Sequence, residues 1–105
     1  MIIKDGLKIE VFCLNILDEN DRKIISDLDV DIFICNAAIG DSGSVAEIPV
    51  DKVRKVFDTN VFAHLDCIQI ALENMIAKKK DGRIIIVSSL VRSYSYAISF
   101  ALLRQ

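Results

Sequence analysis

Asn36, Ala37 and Ala38 follow an uninterrupted apolar run, Ile32-Phe-Ile-Cys35. Such a change from bulky apolar to small polar residues marks a strand, covered on both faces, that delivers its end to a ligand. The short amide of Asn36 can donate and accept hydrogen bonds, and the two alanines leave the main chain open to a flat group. A second strand-like run, Gly82-Arg-Ile-Ile-Ile-Val-Ser-Ser89, ends in two hydroxyls. A serine placed there can hydrogen-bond a substrate carbonyl, although the same residue type also serves as a helix cap. Strand alternation lets only one of the pair face the site, and Ser89 is the one assigned. Asn60 interrupts an apolar pattern, and His64 lies one helical turn beyond it without a second histidine to share a metal. Cys13, Cys35 and Cys67 are dispersed, each within an apolar segment, and form no Cys-x-x-Cys pair. They read as reduced core residues, with Cys35 the one next to the expected ligand edge.

These residues need alternating strands and helices to position them. Met1 to Asp5 reads as the last turn of a helix capped by Gly6, and Lys8 to Leu14 as a strand. Asn15 to Asn20 is a loop, and Asp21 to Leu28 a short helix with Ile24, Ile25 and Leu28 on one face. Asp31 opens the strand that ends at Cys35, and Asp41-Ser-Gly-Ser44 is turn-like. Pro49 and Asp51 suit the start of a long helix from Val50 to about Lys79. Val53, Val56, Phe57, Val61, Leu65, Ile68, Leu72 and Ile76 give that helix a core stripe, and Ala63, Cys67, Ile70 and Ala71 a second apolar flank. Two flanks require two partners: the sheet of the same subunit, and either more of its interior or a second copy. In an open sheet of this kind ligands bind at the carboxyl ends of the strands.

Cys35-Asn36-Ala37-Ala38 resembles the Asn-Asn-Ala-Gly motif of the short-chain dehydrogenase/reductase family, with the first asparagine and the glycine replaced. Asn60 in Phe57-Asp-Thr-Asn-Val-Phe62 and the serine-ended strand at Gly82–Ser89 follow in the family's order, and Leu17-Asp18 resembles the acidic strand end that contacts the adenine ring. The resemblance runs from about Lys8 to Ser89. It implies an α/β fold, a partial Rossmann-like, doubly wound parallel sheet in which this chain supplies the third, fourth and fifth strands of the order 3-2-1-4-5-6-7, with flanking helices. It implies an oxidoreductase using NAD or NADP on small carbonyl or alcohol substrates, and homo-oligomers formed through the Val50–Lys79 helix. Carried onto this sequence, the proton-handling residues are Asn60, Ser89 and Tyr96, and the cofactor contacts are Asp18, Asn36, Ala37 and Ala38.

Two departures bear on activity. Gly6, Gly40, Gly43 and Gly82 form no Gly-rich cluster, so the family's pyrophosphate seat at a helix N-terminus has no counterpart in these residues. Tyr96-Ala-Ile-Ser-Phe100 keeps the tyrosine of the family's Tyr-x-x-x-Lys but puts phenylalanine at the lysine position, and it follows Ser89 early; Tyr94 is the alternative tyrosine, with Ile98 at its lysine position. A tyrosine at its reference pKa of ~10 is ionised to roughly one part in a thousand at neutral pH. Without the lysine nothing lowers it. The chain therefore reads as an internal piece of a larger domain with impaired chemistry, the rival being a non-catalytic interaction module that retains the long helix.

Composition narrows the partners. With 105 residues, 52% of them hydrophobic, the expectation is a single partial domain spanning 1–105. A formal net charge of -2, with Lys78-Lys79-Lys80 the one basic run, offers no footprint for nucleic acid. No apolar stretch reaches the ~18 residues of a membrane span. Ile2-Ile3-Lys4-Asp5 has no signal-peptide pattern, so a cytoplasmic location is expected.

Overall fold

The computed structural model describes residues 2–88. Over them the chain is α/β: a parallel strand pair flanked by helices, preceded by a small hairpin.

The hairpin replaces the expected helix end. Strands β1 (Ile2–Lys4) and β2 (Leu7–Ile9) pair antiparallel, with Lys4 opposite Leu7 and Ile2 opposite Ile9. Asp5 and Gly6 both have positive φ, at 53° and 78°. That is the geometry of a two-residue Asp-Gly turn whose twist matches the strands it joins. Gly6 does adopt the left-handed conformation, but for a hairpin and not for a helix cap. The strand expected from Lys8 to Leu14 stops at Ile9, because its partner is β1 and that pairing ends there.

Helix α1 (Glu19–Ser26) starts two residues before the sequence pattern places it, since Asp18 caps it by accepting a hydrogen bond from the Asp21 N–H at 3.0 Å. Its far end is closed by a residue distant in sequence. Asn74 Nδ2 donates to the carbonyls of Ser26 and Leu28 at 2.8 and 2.7 Å, which satisfies acceptors that a helix C-terminus leaves open.

Strand β3 (Ile32–Cys35) lies parallel to β4 (Arg83–Ile86), in register from Ile32 opposite Arg83 to Cys35 opposite Ile86. The crossover between them consists of α2 (Val50–Phe57), a π-helical segment (Asp58–Ala63) and α3 (His64–Ala77) in unbroken succession. Phe33 faces a core of Ile25, Cys67 and Ala71, joined by Ile16 and Ile70. On the other face Ile32 and Ile34 are 58% and 56% exposed, so among the described residues only one side of β3 is covered, whereas the apolar run implies two. Among the described residues there are thus two separate strand pairs, and β2 joins neither β3 nor β4.

Along α3 the crossover buries the opposite flank from the one its large residues mark, while Val53, Val56, Phe57, Val61 and Ile68 of that stripe are half-buried. Thr59, Ala63, Cys67, Ala71 and Met75, each four residues after the last, are its buried positions, while Leu65, Leu72 and Ile76 are 50%, 44% and 66% exposed. Small side chains let the helix approach β3 and α1 closely, and close approach excludes water more completely than bulky residues on a distant axis. The fit is tight at one further point: a Cβ on Gly82, just before β4, would collide with Met75 Sδ. The basic run closes the other end of the layer, where Lys80 pairs with Asp29 and Asp31 and Lys78 also reaches Asp29. Hydrogen bonds from Lys80 and then Lys78 hold the Asp29 carboxyl below its ordinary pKa.

Candidate functional site

The carboxyl ends of β3 and β4 open at one edge. The Val87 N–H donates to the Cys35 carbonyl at 2.9 Å, which carries the parallel ladder one step beyond the strands. Asn36, Ala37 and Ala38 leave β3 at this point, all exposed, and Ser88 leaves β4 beside them. Ser89, Tyr96 and Phe100 lie outside the described residues.

Cys35 is the last buried residue before the edge, at 5% exposure. Burial, and secondarily the neighbouring Cys67, pushes its thiol pKa up, so it stays protonated and packs as a small apolar group. Cys67 is pushed up chiefly by burial as well. Cys13 is exposed, and none of the three is paired. Among the described residues no cluster of three or more His, Cys, Asp or Glu could hold a metal ion.

What fixes the path of the edge is the helix behind it. The Asn60 side chain accepts from the Ile39 N–H at 2.9 Å and donates to the Ile39 carbonyl at 2.8 Å, so a single amide imitates a strand partner for one residue of the loop. One turn later His64 Nε2 donates to the Ala37 carbonyl. Asn60 lies within the π-helical segment, and the His64 N–H bonds the Val61 carbonyl, so it does not supply the Asn60 carbonyl with the bond of a regular α-helix. Single-turn π segments occur frequently at functional sites, because the extra residue per turn re-aims side chains and loosens main-chain acceptors.

Asp18 sits at the start of α1, where its carboxylate accepts the cap bond. Beside it an open concavity is lined by Leu17, Arg22, Asp58, Phe62, Ala63 and Asp66. Leu17 and Phe62 are 44% and 58% exposed there and provide apolar surface, and Asp58 and Phe62 belong to the same π-helical segment as Asn60. Asn60 is thus tied to Ile39, the residue that follows Asn36, Ala37 and Ala38, whereas the Asp18 carboxylate bonds within its own helix. The sequence marks His64 only as a weak ligand candidate, and its bond to the Ala37 main chain is what that reading does not find. Its spacing of four from Asn60 was the available signal, since it puts both side chains on one helix face.

A parallel strand pair with a right-sized crossover helix, and a polar site at the carboxyl edge, define a Rossmann-like α/β protein. The sequence model of the short chain dehydrogenases matches residues 13–101. The chain belongs to the short-chain dehydrogenase/reductase family. It is similar in structure to a short chain dehydrogenase/reductase family protein, with 27% identity and a TM-score of 0.61 over 70% of its own length, and it spans 32% of that protein's chain. No curated protein matches it at a significant level. Among the described residues no helix is long and apolar enough to cross a membrane.

Proposed function

We propose that these residues carry part of the site of an NAD- or NADP-dependent oxidoreductase acting on small carbonyl or alcohol substrates, with chemistry that is impaired in the 105-residue chain itself. The supporting observation is the tether of the Ala37–Ile39 main chain to Asn60 and His64, which holds a strand-end loop open at the edge where such sheets take ligands. Asn36, Ala37 and Ala38 would flank the nicotinamide half of the cofactor. Asp18, with Leu17 and Phe62, would meet its adenine half. A bound nicotinamide supplies or accepts the hydride at the substrate carbon. Ser89 would hydrogen-bond the substrate oxygen, Tyr96 would exchange the proton with it, and Asn60 would support the proton path.

Gly6, Gly40, Gly43 and Gly82 are too dispersed to form a Gly-rich pyrophosphate seat, and of these Gly6 turns the hairpin and Gly82 is held against Met75. Calorimetric titration with NAD and NADP is therefore expected to give dissociation constants weaker than about 10 μM, roughly 7 kcal/mol. Tighter binding would show that the anchoring is intact. Phe100→Lys is expected not to restore carbonyl reduction, because geometry precedes pKa in general-acid catalysis and Tyr96 follows Ser89 too closely. Turnover in the variant that Tyr96→Phe abolishes would overturn the impaired reading.

A second reading, an interaction module, draws on Leu65, Leu72 and Ile76, which form an exposed apolar line along α3. A flank of this kind suits a second copy of the same helix, and self-association is proposed under either reading.

A further inference from the structure

We propose that His64 is a positioning residue for the ligand edge: through Ala37 it sets the orientation of the peptide joining Ala37 to Ala38, and so decides which main-chain group that edge offers. The inference rests on the cofactor reading above for the identity of the ligand, but its geometry stands independently. His64 Nε2 donates to the Ala37 carbonyl, which turns that oxygen toward the helix. No peptide bond in the described chain is cis. In a trans peptide the N–H points opposite to the C=O, so the Ala38 N–H is directed away from His64, toward the open side. Ile39, the next residue, has both its N–H and its carbonyl engaged by Asn60. Two side chains one turn apart thus engage three main-chain polar groups on the helix side, the Ala37 carbonyl and the N–H and carbonyl of Ile39, and leave the Ala38 N–H between them as a donor for a ligand oxygen, such as a ribose hydroxyl or a carboxamide.

Neutral His64 must then carry its proton on Nε2. Ring-nitrogen chemical shifts of the uniformly ¹⁵N-labelled chain are expected to show that tautomer, and an Nδ1–H ring would overturn the proposal without any variant. His64→Gln places an amide donor near the position of Nε2, whereas His64→Phe keeps the bulk and removes the donor. With NAD or NADP as the probe, the amide shifts of Ala38 are expected to respond alike in the unmodified chain and His64→Gln, and to need roughly tenfold more dinucleotide in His64→Phe. The β3 and β4 amides serve as the fold control. An unchanged response in folded His64→Phe, or no rescue by His64→Gln, would overturn the positioning role. If the unmodified chain responds to neither dinucleotide, the cofactor reading fails, and the Ala37 carbonyl shift decides the geometry. A displaced ¹³C′ resonance in His64→Phe, restored in His64→Gln, supports it; an unmoved one overturns it.

Discussion

Removing the Asn60 side chain tests whether one amide really holds the loop after β3. Asn60→Ala deletes two hydrogen bonds, at 2.9 and 2.8 Å, to the N–H and carbonyl of Ile39. A typical intramolecular hydrogen bond contributes about 0.5–1.5 kcal/mol net. Ile39 is 39% exposed, so water can replace part of what is lost and each bond belongs near the lower end of that range. The sum is about 1–2 kcal/mol, a sizeable part of a small domain's stability. Asn60→Asp separates the two bonds. The carboxylate still accepts from the Ile39 N–H but confronts the Ile39 carbonyl with negative charge, so at neutral pH it should be at least as destabilising as alanine. In urea, with a slope of about 1–3 kcal/mol/M, either change should lower the midpoint by roughly half to one molar. The reasoning fails if Asn60→Ala moves stability by less than about 0.3 kcal/mol, or if Asn60→Asp proves clearly more stable than Asn60→Ala.

Three other outcomes follow from the packing. Gly82→Ala drives a Cβ into Met75 Sδ and should destabilise by about 1 kcal/mol, the low end of overpacking because a methionine can partly yield; a neutral result in chemical denaturation would show that the contact is loose. Leu72→Glu should shift the chain toward monomer in sedimentation velocity without unfolding it, whereas Ile70→Glu, against the Ile25, Cys67 and Ala71 core, should unfold it; a compact monomer for the unmodified chain would remove the proposed association. Folding raises the Cys35 and Cys67 thiol pKa values above the ordinary 9.0, so their contribution is fully present below that value and lost as pH rises through the folded ones. A thiol reagent should accordingly label exposed Cys13 first, and equal labelling of all three in the folded chain would contradict that burial.

The end of β3 was more legible in the sequence than the packing around it. The run from Ile32 to Cys35 announces both a strand and the place where it ends, because four apolar residues closed by Asn-Ala-Ala have few other uses. The helix beginning at Pro49 was equally plain from its period. What periodicity did not reveal was which flank of that helix turns inward. Hydrophobic size favours Leu65, Leu72 and Ile76, but closeness of approach favours Ala63, Cys67 and Ala71, and a pattern of residue types contains no term for distance between layers. The hairpin was missed for a different reason. Asp5-Gly6 is a strong turn signal, yet it reads as a helix cap when Ile2-Ile3-Lys4 is too short to declare a strand. His64 was weighed only as a lone metal ligand, because its partner is a main-chain carbonyl, which leaves no trace in residue identity.

The central claim is that the main chain at Ala37 and Ala38 lines a dinucleotide site. Methyl labelling of the alanines tests it most directly, by intermolecular nuclear Overhauser effects from NAD or NADP at millimolar concentration. The expected result is contact between cofactor protons and the methyls of Ala37 and Ala38, with none to Ala63 or Ala71, which are 2% and 1% exposed inside the fold. Contacts confined to other alanines, or none under saturating dinucleotide, would contradict it.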